Sequence, residues 1–170
     1  MREEAVYATV RYLIENKIYS LDQNLSKDDL KSPKVSIKDA HLVFGLEPYE
    51  TFKNLKFYSE KTLILLNVHK LDYSFSKSAL RKRIMLPSIG CIIDTLDQLV
   101  RKVVAVDMYD LAKSIFQSEE YINMIMLGLA AKEFREIFSK KKLIGILNET
   151  KSQDCKCIDA FQYGYNLIND

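Results

Sequence analysis

Two short apolar runs, at residues 41–46 and 62–66, dominate the hydrophobic pattern of the chain. Each run is too short for a buried helix, and its unbroken hydrophobicity is typical of a strand buried on both faces. Pro48 follows the first run and suits the first turn of a helix. That helix gains an apolar side from residues that recur every third position, namely Tyr49, Phe52, Leu55 and Tyr58. Because residues 47–61 are long enough for a crossover between parallel neighbours, the pattern predicts a βαβ unit.

The remaining apolar periodicity extends this plan along the chain. Strand patterns are found at residues 5–14 and 102–106, the second of them apolar enough to be buried. Helical spacing of apolar residues is found at 89–100, 111–116, 122–131, 140–147 and 157–168. We therefore predict one α/β domain over residues 1–170, a three-layer sandwich with a mostly parallel sheet and helices on both faces.

The segment at 122–131 predicts an unusual helix, because Asn123 is its only polar side chain. A helix that is apolar nearly all round is normally buried on two sides, either in the core or under a partner subunit. Gly128, in its middle, costs about 1 kcal/mol of helix propensity relative to alanine. Close approach to another backbone is one reason to keep glycine there, and the pattern leaves core and partner both open.

Composition places the chain among soluble globular domains, with 170 residues, 48% apolar and 28% charged. The net charge of +2 and the scattered lysines do not favour nucleic-acid binding. The basic runs at 81–83 and 140–142 lack interleaved aromatic residues, so we interpret them as solvated surface.

Targeting and cysteine patterns predict a cytoplasmic protein. No apolar run approaches the roughly 20 residues of a membrane span, and the start of the chain lacks the apolar region of a secretory signal. Cys91, Cys155 and Cys157 form no disulfide framework, which favours a reducing compartment. Because no second Cys or His pair completes a site with Cys155 and Cys157, we predict no metal on this chain.

Polar residues follow three predicted strands, where ligands bind in open parallel sheets. Glu47 follows the first apolar run, Asn67 and His69 follow the second, and Asp107 follows the strand at 102–106. These residues, with Asn123, are the candidate lining of a ligand crevice. The alternatives are that Glu47 caps a helix and that Asn67 makes a turn. No glycine-rich phosphate loop, nucleophile elbow or zinc-protease motif is present, so no catalytic residue is predicted.

Eight short motifs follow one another along the chain. In order they are VRY (10–12), SPKV (32–35), DAHLVFGLEPYETFKNL (39–55), TLILLN (62–67), LPS (86–88), VDMYDLA (106–112), NMIMLGLAA (123–131) and AFQYGY (160–165). This ordered series resembles the gamma-type subunit of the 2-oxoacid:ferredoxin oxidoreductases, which include pyruvate oxidoreductase. The nearest resemblance is to the small subunit of indolepyruvate oxidoreductase.

The resemblance implies a non-catalytic subunit of a complex that decarboxylates 2-oxoacids and passes electrons to ferredoxin. It implies no cofactor on this chain, with thiamine diphosphate and iron–sulfur clusters on partner subunits. The alternatives are a stand-alone small-ligand-binding module and an interaction protein, which includes a homodimer.

One departure from the family pattern concerns the start of the chain. Family members begin with a strand and a glycine-rich loop, whereas residues 2–5 (REEA) stand here where a later "RGG" segment would be. We therefore expect a sheet that is truncated at its N-terminal side relative to the family. A separate chain supplying the missing part, a trimmed sheet that dimerises and a paralogue with another role are all consistent with it.

Overall fold

A three-stranded parallel sheet forms the centre of the computed structural model, which describes residues 35–69, 87–135, 137–149 and 156–168. The strands are β1 (Leu42–Gly45), β2 (Leu63–Asn67) and β3 (Lys102–Val106), in the spatial order β1-β2-β3. Leu63 pairs with Leu42 on one side and with Lys102 on the other. The predicted parallel sheet is confirmed, and the predicted strand at 5–14 lies outside the described residues.

The crossover between β1 and β2 is a helix, as predicted, but it is not regular to its end. Helix α1 (Pro48–Lys53) stops at Asn54, and a 3₁₀ turn (Leu55–Phe57) follows. The Thr51 hydroxyl donates to the Glu47 carbonyl at 2.7 Å, and the buried Tyr58 hydroxyl donates to the Thr51 carbonyl at 2.8 Å. The second bond ties the end of the crossover to α1, and Tyr58 packs with Ile64 and Leu66 of β2.

The sequence predicts that β1 and β2 are buried on both faces and that β3 is buried, and the structure confirms this only for β2. Every residue of β2 is buried, whereas Phe44 of β1 is 44% exposed and Lys102 and Ala105 of β3 are exposed. The reason is position, because only β2 has a strand neighbour on each side among the described residues. An apolar run alone does not distinguish a central strand from an outer one.

The helices lie on both faces of the sheet, in agreement with the predicted α/β class. Alternate side chains of β2 point to opposite faces: Leu63 and Leu65 pack into one core cluster, and Ile64 and Leu66 pack into the other. After α1 the helices are α2 (Ile89–Asp97), α3 (Met108–Leu111) with a π-helical continuation (Ala112–Phe116), a 3₁₀ turn (Glu119–Tyr121), α4 (Ile122–Glu133), α5 (Lys140–Glu149) and α6 (Lys156–Asn166). Helices α1 and α2 cover the Ile64 side, and α3, α4 and α6 cover the Leu63 side.

Helix α4 is buried within its own chain, which answers the question that its sequence leaves open. Its most extensive packing is against α6. A Cβ added to Gly128 would overlap the Phe161 carbonyl oxygen and lie 2.7 Å from the Tyr165 nitrogen. Close approach of a backbone therefore requires glycine here, and that backbone belongs to α6.

No helix among the described residues is long and apolar enough to cross a membrane.

Candidate functional site

The carboxyl ends of the three strands are held together by one buried side chain, that of Asn67. Its Nδ2 donates to the Leu46 carbonyl, just beyond β1, at 3.2 Å. Its Oδ1 accepts from the Met108 nitrogen, just beyond β3, at 2.9 Å and from the His69 nitrogen at 3.3 Å. Asn67 thus satisfies backbone groups that three strand ends leave unpaired, which is a larger structural role than the turn that its sequence context suggests.

His69 and Asp107 meet beside Asn67. The His69 Nδ1 lies 3.3 Å from the Asp107 Oδ2, and the two side chains are 29% and 41% exposed. The other Asp107 oxygen, Oδ1, accepts from the Asp110 nitrogen at 2.9 Å and so caps α3. The sequence places these two residues at the ends of neighbouring strands, and the structure brings them into contact.

Tyr109 completes this group, although it is not among the candidate residues that the sequence predicts. Its ring stacks on the His69 ring with centroids 4.0 Å apart and an interplanar angle of 21°. The Lys113 ammonium, one helical turn further on, lies 5.5 Å from the Tyr109 ring centroid. The available signal was an aromatic residue in the first turn of a helix that directly follows a strand-ending aspartate.

Glu47 acts as a helix cap, the alternative that its position before Pro48 suggests. Its two carboxylate oxygens accept from the Tyr49 nitrogen at 3.0 Å and from the Glu50 nitrogen at 2.6 Å. Glu47 adopts an extended backbone conformation, as expected for a residue that precedes the first helical turn. A carboxylate at this position also interacts favourably with the positive end of the helix dipole.

Asn123 lies in the first turn of α4, where it is exposed. It is not part of the hydrogen-bonded group that joins Asn67, His69 and Asp107. Among the described residues, no group of three or more His, Cys, Asp and Glu side chains could hold a metal ion.

The His69–Asp107 contact can orient an imidazole for binding. When the neutral ring donates from Nδ1 to the carboxylate, Nε2 is left as the acceptor that can take a hydrogen bond or a proton from another molecule. The stacked Tyr109 ring restricts rotation of the imidazole. The arrangement therefore has the features of a small polar recognition site at the sheet edge.

Comparison with known proteins gives two matches. Residues 5–167 match the family model for pyruvate ferredoxin/flavodoxin oxidoreductase. Among curated proteins, the chain is similar to "Indolepyruvate oxidoreductase subunit IorB" of Archaeoglobus fulgidus, with 23% identity over 151 residues that cover 86% of this chain and 72% of that protein. No solved structure matches the chain significantly. The matched region includes every helix and strand described above.

Proposed function

Because the chain belongs to the pyruvate ferredoxin/flavodoxin oxidoreductase family, we propose that it is the non-catalytic gamma-type subunit of a 2-oxoacid:ferredoxin oxidoreductase complex. Family membership confirms the resemblance predicted from the ordered motifs. The substrate that we propose is indolepyruvate or a similar 2-oxoacid such as pyruvate, since the named relative is an indolepyruvate oxidoreductase subunit. We place the complex in the cytoplasm.

The observation that carries this proposal is that Glu47 and Asn67, at the carboxyl ends of the strands, form hydrogen bonds to the backbone of their own chain. Both Glu47 oxygens accept from backbone nitrogens, and the Asn67 amide bonds three backbone groups of its own chain. In family motifs these residues lie in the "GLEP" and "LLN" segments. Their chemistry here is the assembly of a rigid α/β unit, as a subunit that supports the reaction of its partners would need.

In this proposal the reactive groups belong to partner chains. Thiamine diphosphate supplies the chemistry that decarboxylates the 2-oxoacid, and iron–sulfur clusters carry the electrons to ferredoxin. This chain contributes surfaces that hold the complex together. The relative's printed name, a subunit of an oxidoreductase, supports partners of this kind.

The test is to isolate the tagged full-length chain from its native cell extract and identify what accompanies it. We expect a thiamine-diphosphate-binding subunit with ferredoxin-type cysteines, and 2-oxoacid-dependent ferredoxin reduction by the isolated complex. The purified chain alone should give no turnover. Turnover by the isolated chain, or a purified complex without any thiamine-diphosphate-binding protein, would contradict the proposal.

A second candidate function is a stand-alone binding module, and the contact between His69 and Asp107 favours it. We propose for this reading that the pair, with Tyr109, binds a small anionic or nucleotide ligand. Direct ligand contacts of Glu47, Asn67 and Asn123 stay predictions. Calorimetric titration with CoA, flavin and nucleotides tests it, with His69→Gln as the variant that should lose the heat of binding. Absence of binding by all three ligand classes removes this reading.

A further inference from the structure

Strand β1 has a strand neighbour on only one side among the described residues. β2 pairs with all of its residues, Leu42–Gly45, and no described strand lies on the opposite side. We call that side the outer edge of β1. An edge strand presents unpaired N–H and C=O groups, to which the backbone of another segment can bind. The outer edge of β1 is therefore a surface that a further strand fits.

The register of the sheet shows which backbone groups of β1 point to this edge. The Leu63 nitrogen donates to the His41 carbonyl at 2.8 Å, so the backbone polar groups of His41 are directed towards β2. In a strand, the backbone polar groups of successive residues point to opposite sides. Those of Val43 therefore share the direction of His41, whereas the N–H groups of Leu42 and Phe44 point to the outer edge.

Side chains beside the outer edge are also uncovered. Leu42 packs into the same core cluster as Leu63 and Leu65, so Phe44, two residues further on, points to that face of the sheet. Phe44 is 44% exposed, and Leu46, just beyond β1, is 53% exposed. Helices α4 and α6 contribute to the cluster over Leu63 and Leu65 of the neighbouring strand. The outer edge thus combines two directed N–H groups with an exposed apolar strip.

One segment of the same chain has a pattern that fits this edge. Residues 5–14 lie outside the described part of the chain, and their sequence predicts a strand. Every even-numbered residue from Val6 to Ile14 is apolar, whereas the odd-numbered residues include Thr9 and Arg11. Such alternation is typical of a strand with one buried face. The family match begins at residue 5, so this segment belongs to the matched region.

The connection between this segment and β1 is long enough for the two to pair. Residues 15–41 separate them, which exceeds the dozen or more residues that even a crossover between parallel neighbours needs. Because the segment belongs to the same chain, it competes for the edge at a high effective concentration. A strand from another molecule matches this advantage only by binding more tightly.

We propose that residues 5–14 bind to the outer edge of β1 as a further strand, with their apolar even-numbered side chains on the face of Phe44. This inference does not depend on the proposed function, because it concerns how the chain completes its own sheet. It closes the edge to a strand from a second copy or from a separate chain, two alternatives that the sequence leaves open.

A proline scan of the full-length chain tests the pairing. Proline has no N–H group, and an edge strand tolerates it only where that N–H faces solvent. Site-resolved hydrogen exchange measures the response of the Leu42 and Phe44 amides. Exchange should accelerate by about tenfold or more for one alternate pair of the variants and by less than about threefold for the other pair. The four variants are Ala8→Pro, Thr9→Pro, Val10→Pro and Arg11→Pro.

Two controls distinguish the loss of this pairing from general unfolding. The Ile64 and Leu65 amides lie in β2, which pairs with a described strand on each side. Their exchange should stay within about twofold of wild type in all four variants. Ser26→Pro, in the polar stretch between the segment and β1, should leave the Leu42 and Phe44 amides within the same limit.

The wild-type chain provides a test that no unfolded variant can obscure. Its Leu42 and Phe44 amides should exchange at least about a hundredfold more slowly than those of an unstructured peptide, at every protein concentration. Exchange at the unprotected rate overturns the inference, and so does equal acceleration by all four proline variants.

Other occupants of the edge give different results, and each of them overturns the inference. Protection that appears only as the protein concentration rises, together with a dimer in sedimentation, would assign the edge to a second copy. Protection that appears only in the purified oxidoreductase complex would assign it to a partner subunit. Neither result bears on whether the chain is a subunit of that complex, which the identification of co-purifying chains tests separately.

Discussion

Gly128 of α4 and Gly164 of α6 lie directly against each other's helices. A Cβ on Gly128 would lie 3.0 Å from the Gly164 carbonyl carbon, and one on Gly164 would lie 2.8 Å from the Ile125 Cα. The two glycines come from the "NMIMLGLAA" and "AFQYGY" motifs, which are far apart in sequence. These motifs therefore include the two sides of one helix contact.

We expect Gly128→Ala to destabilise the protein by at least about 2 kcal/mol, although alanine favours a helix by about 1 kcal/mol. The added methyl group would collide with backbone atoms of α6, which cannot rotate away as a side chain can. Chemical denaturation measures the loss. Gly90→Ala in α2 is the control, because its Cβ would meet only the Ser88 hydroxyl, at 3.9 Å, and it should stabilise the protein. Equal effects of the two substitutions would contradict the contact.

Asn67→Ala should cost about 2–4 kcal/mol of unfolding free energy. The substitution leaves the Met108 nitrogen and the Leu46 carbonyl without the partner that the buried amide provides. Urea denaturation measures this loss. Asn123→Ala is the control, because Asn123 is exposed in the first turn of α4. This substitution should change the free energy of unfolding by less than about 0.5 kcal/mol. A loss for Asn67→Ala no larger than that of the control would refute the role of Asn67 at the strand ends.

The contact between Asp107 and His69 should determine which ring nitrogen of His69 carries the proton. Because the carboxylate accepts from Nδ1, we expect the neutral ring to be protonated mainly at Nδ1 in the wild type. Asp107→Ala should lower that population, and two-bond ¹⁵N–¹H NMR spectra recorded at high pH measure it. His41, which is exposed, serves as the internal reference. An unchanged His69 spectrum in the variant would show that the carboxylate does not orient the ring.

Glu47→Ala should destabilise the protein by about 1 kcal/mol, the usual effect of removing a helix cap. Both carboxylate oxygens accept from nitrogens in the first turn of α1, so no other group replaces them. Thermal denaturation measures the effect, and Glu47→Asp should recover part of it because a shorter carboxylate still reaches the turn. A variant as stable as wild type would mean that Pro48 alone determines where the helix begins.

The order of helices and strands could be predicted from sequence because apolar periodicity reflects each element's own buried face. Strand β3 was predicted with its observed bounds at 102–106. The exposure of Phe44 could not be predicted, since it depends on whether a strand is central or outer. That information lies in the pairing of elements and not in the local apolar run.

In the candidate site, too, some features could be predicted from the sequence and others could not. Asn67, His69 and Asp107 could be selected because parallel strands bring their carboxyl ends to one edge. Their partners could not, since the bond from Met108 to Asn67 spans 41 residues and depends on the register between β2 and β3. Tyr109 was missed for that reason, because only this register places its ring on His69.

The packing of α4 against α6 also affects how the protein folds during synthesis. Helix α4 carries six buried residues, and its main packing partner is made about 30 residues later. Until the ribosome has released α6, a strongly apolar helix is present without its cover. The apolar surface of α4 in the nascent chain is therefore covered only after α6 has been synthesised. Premature termination before α6 would leave this surface exposed and yield an aggregation-prone product.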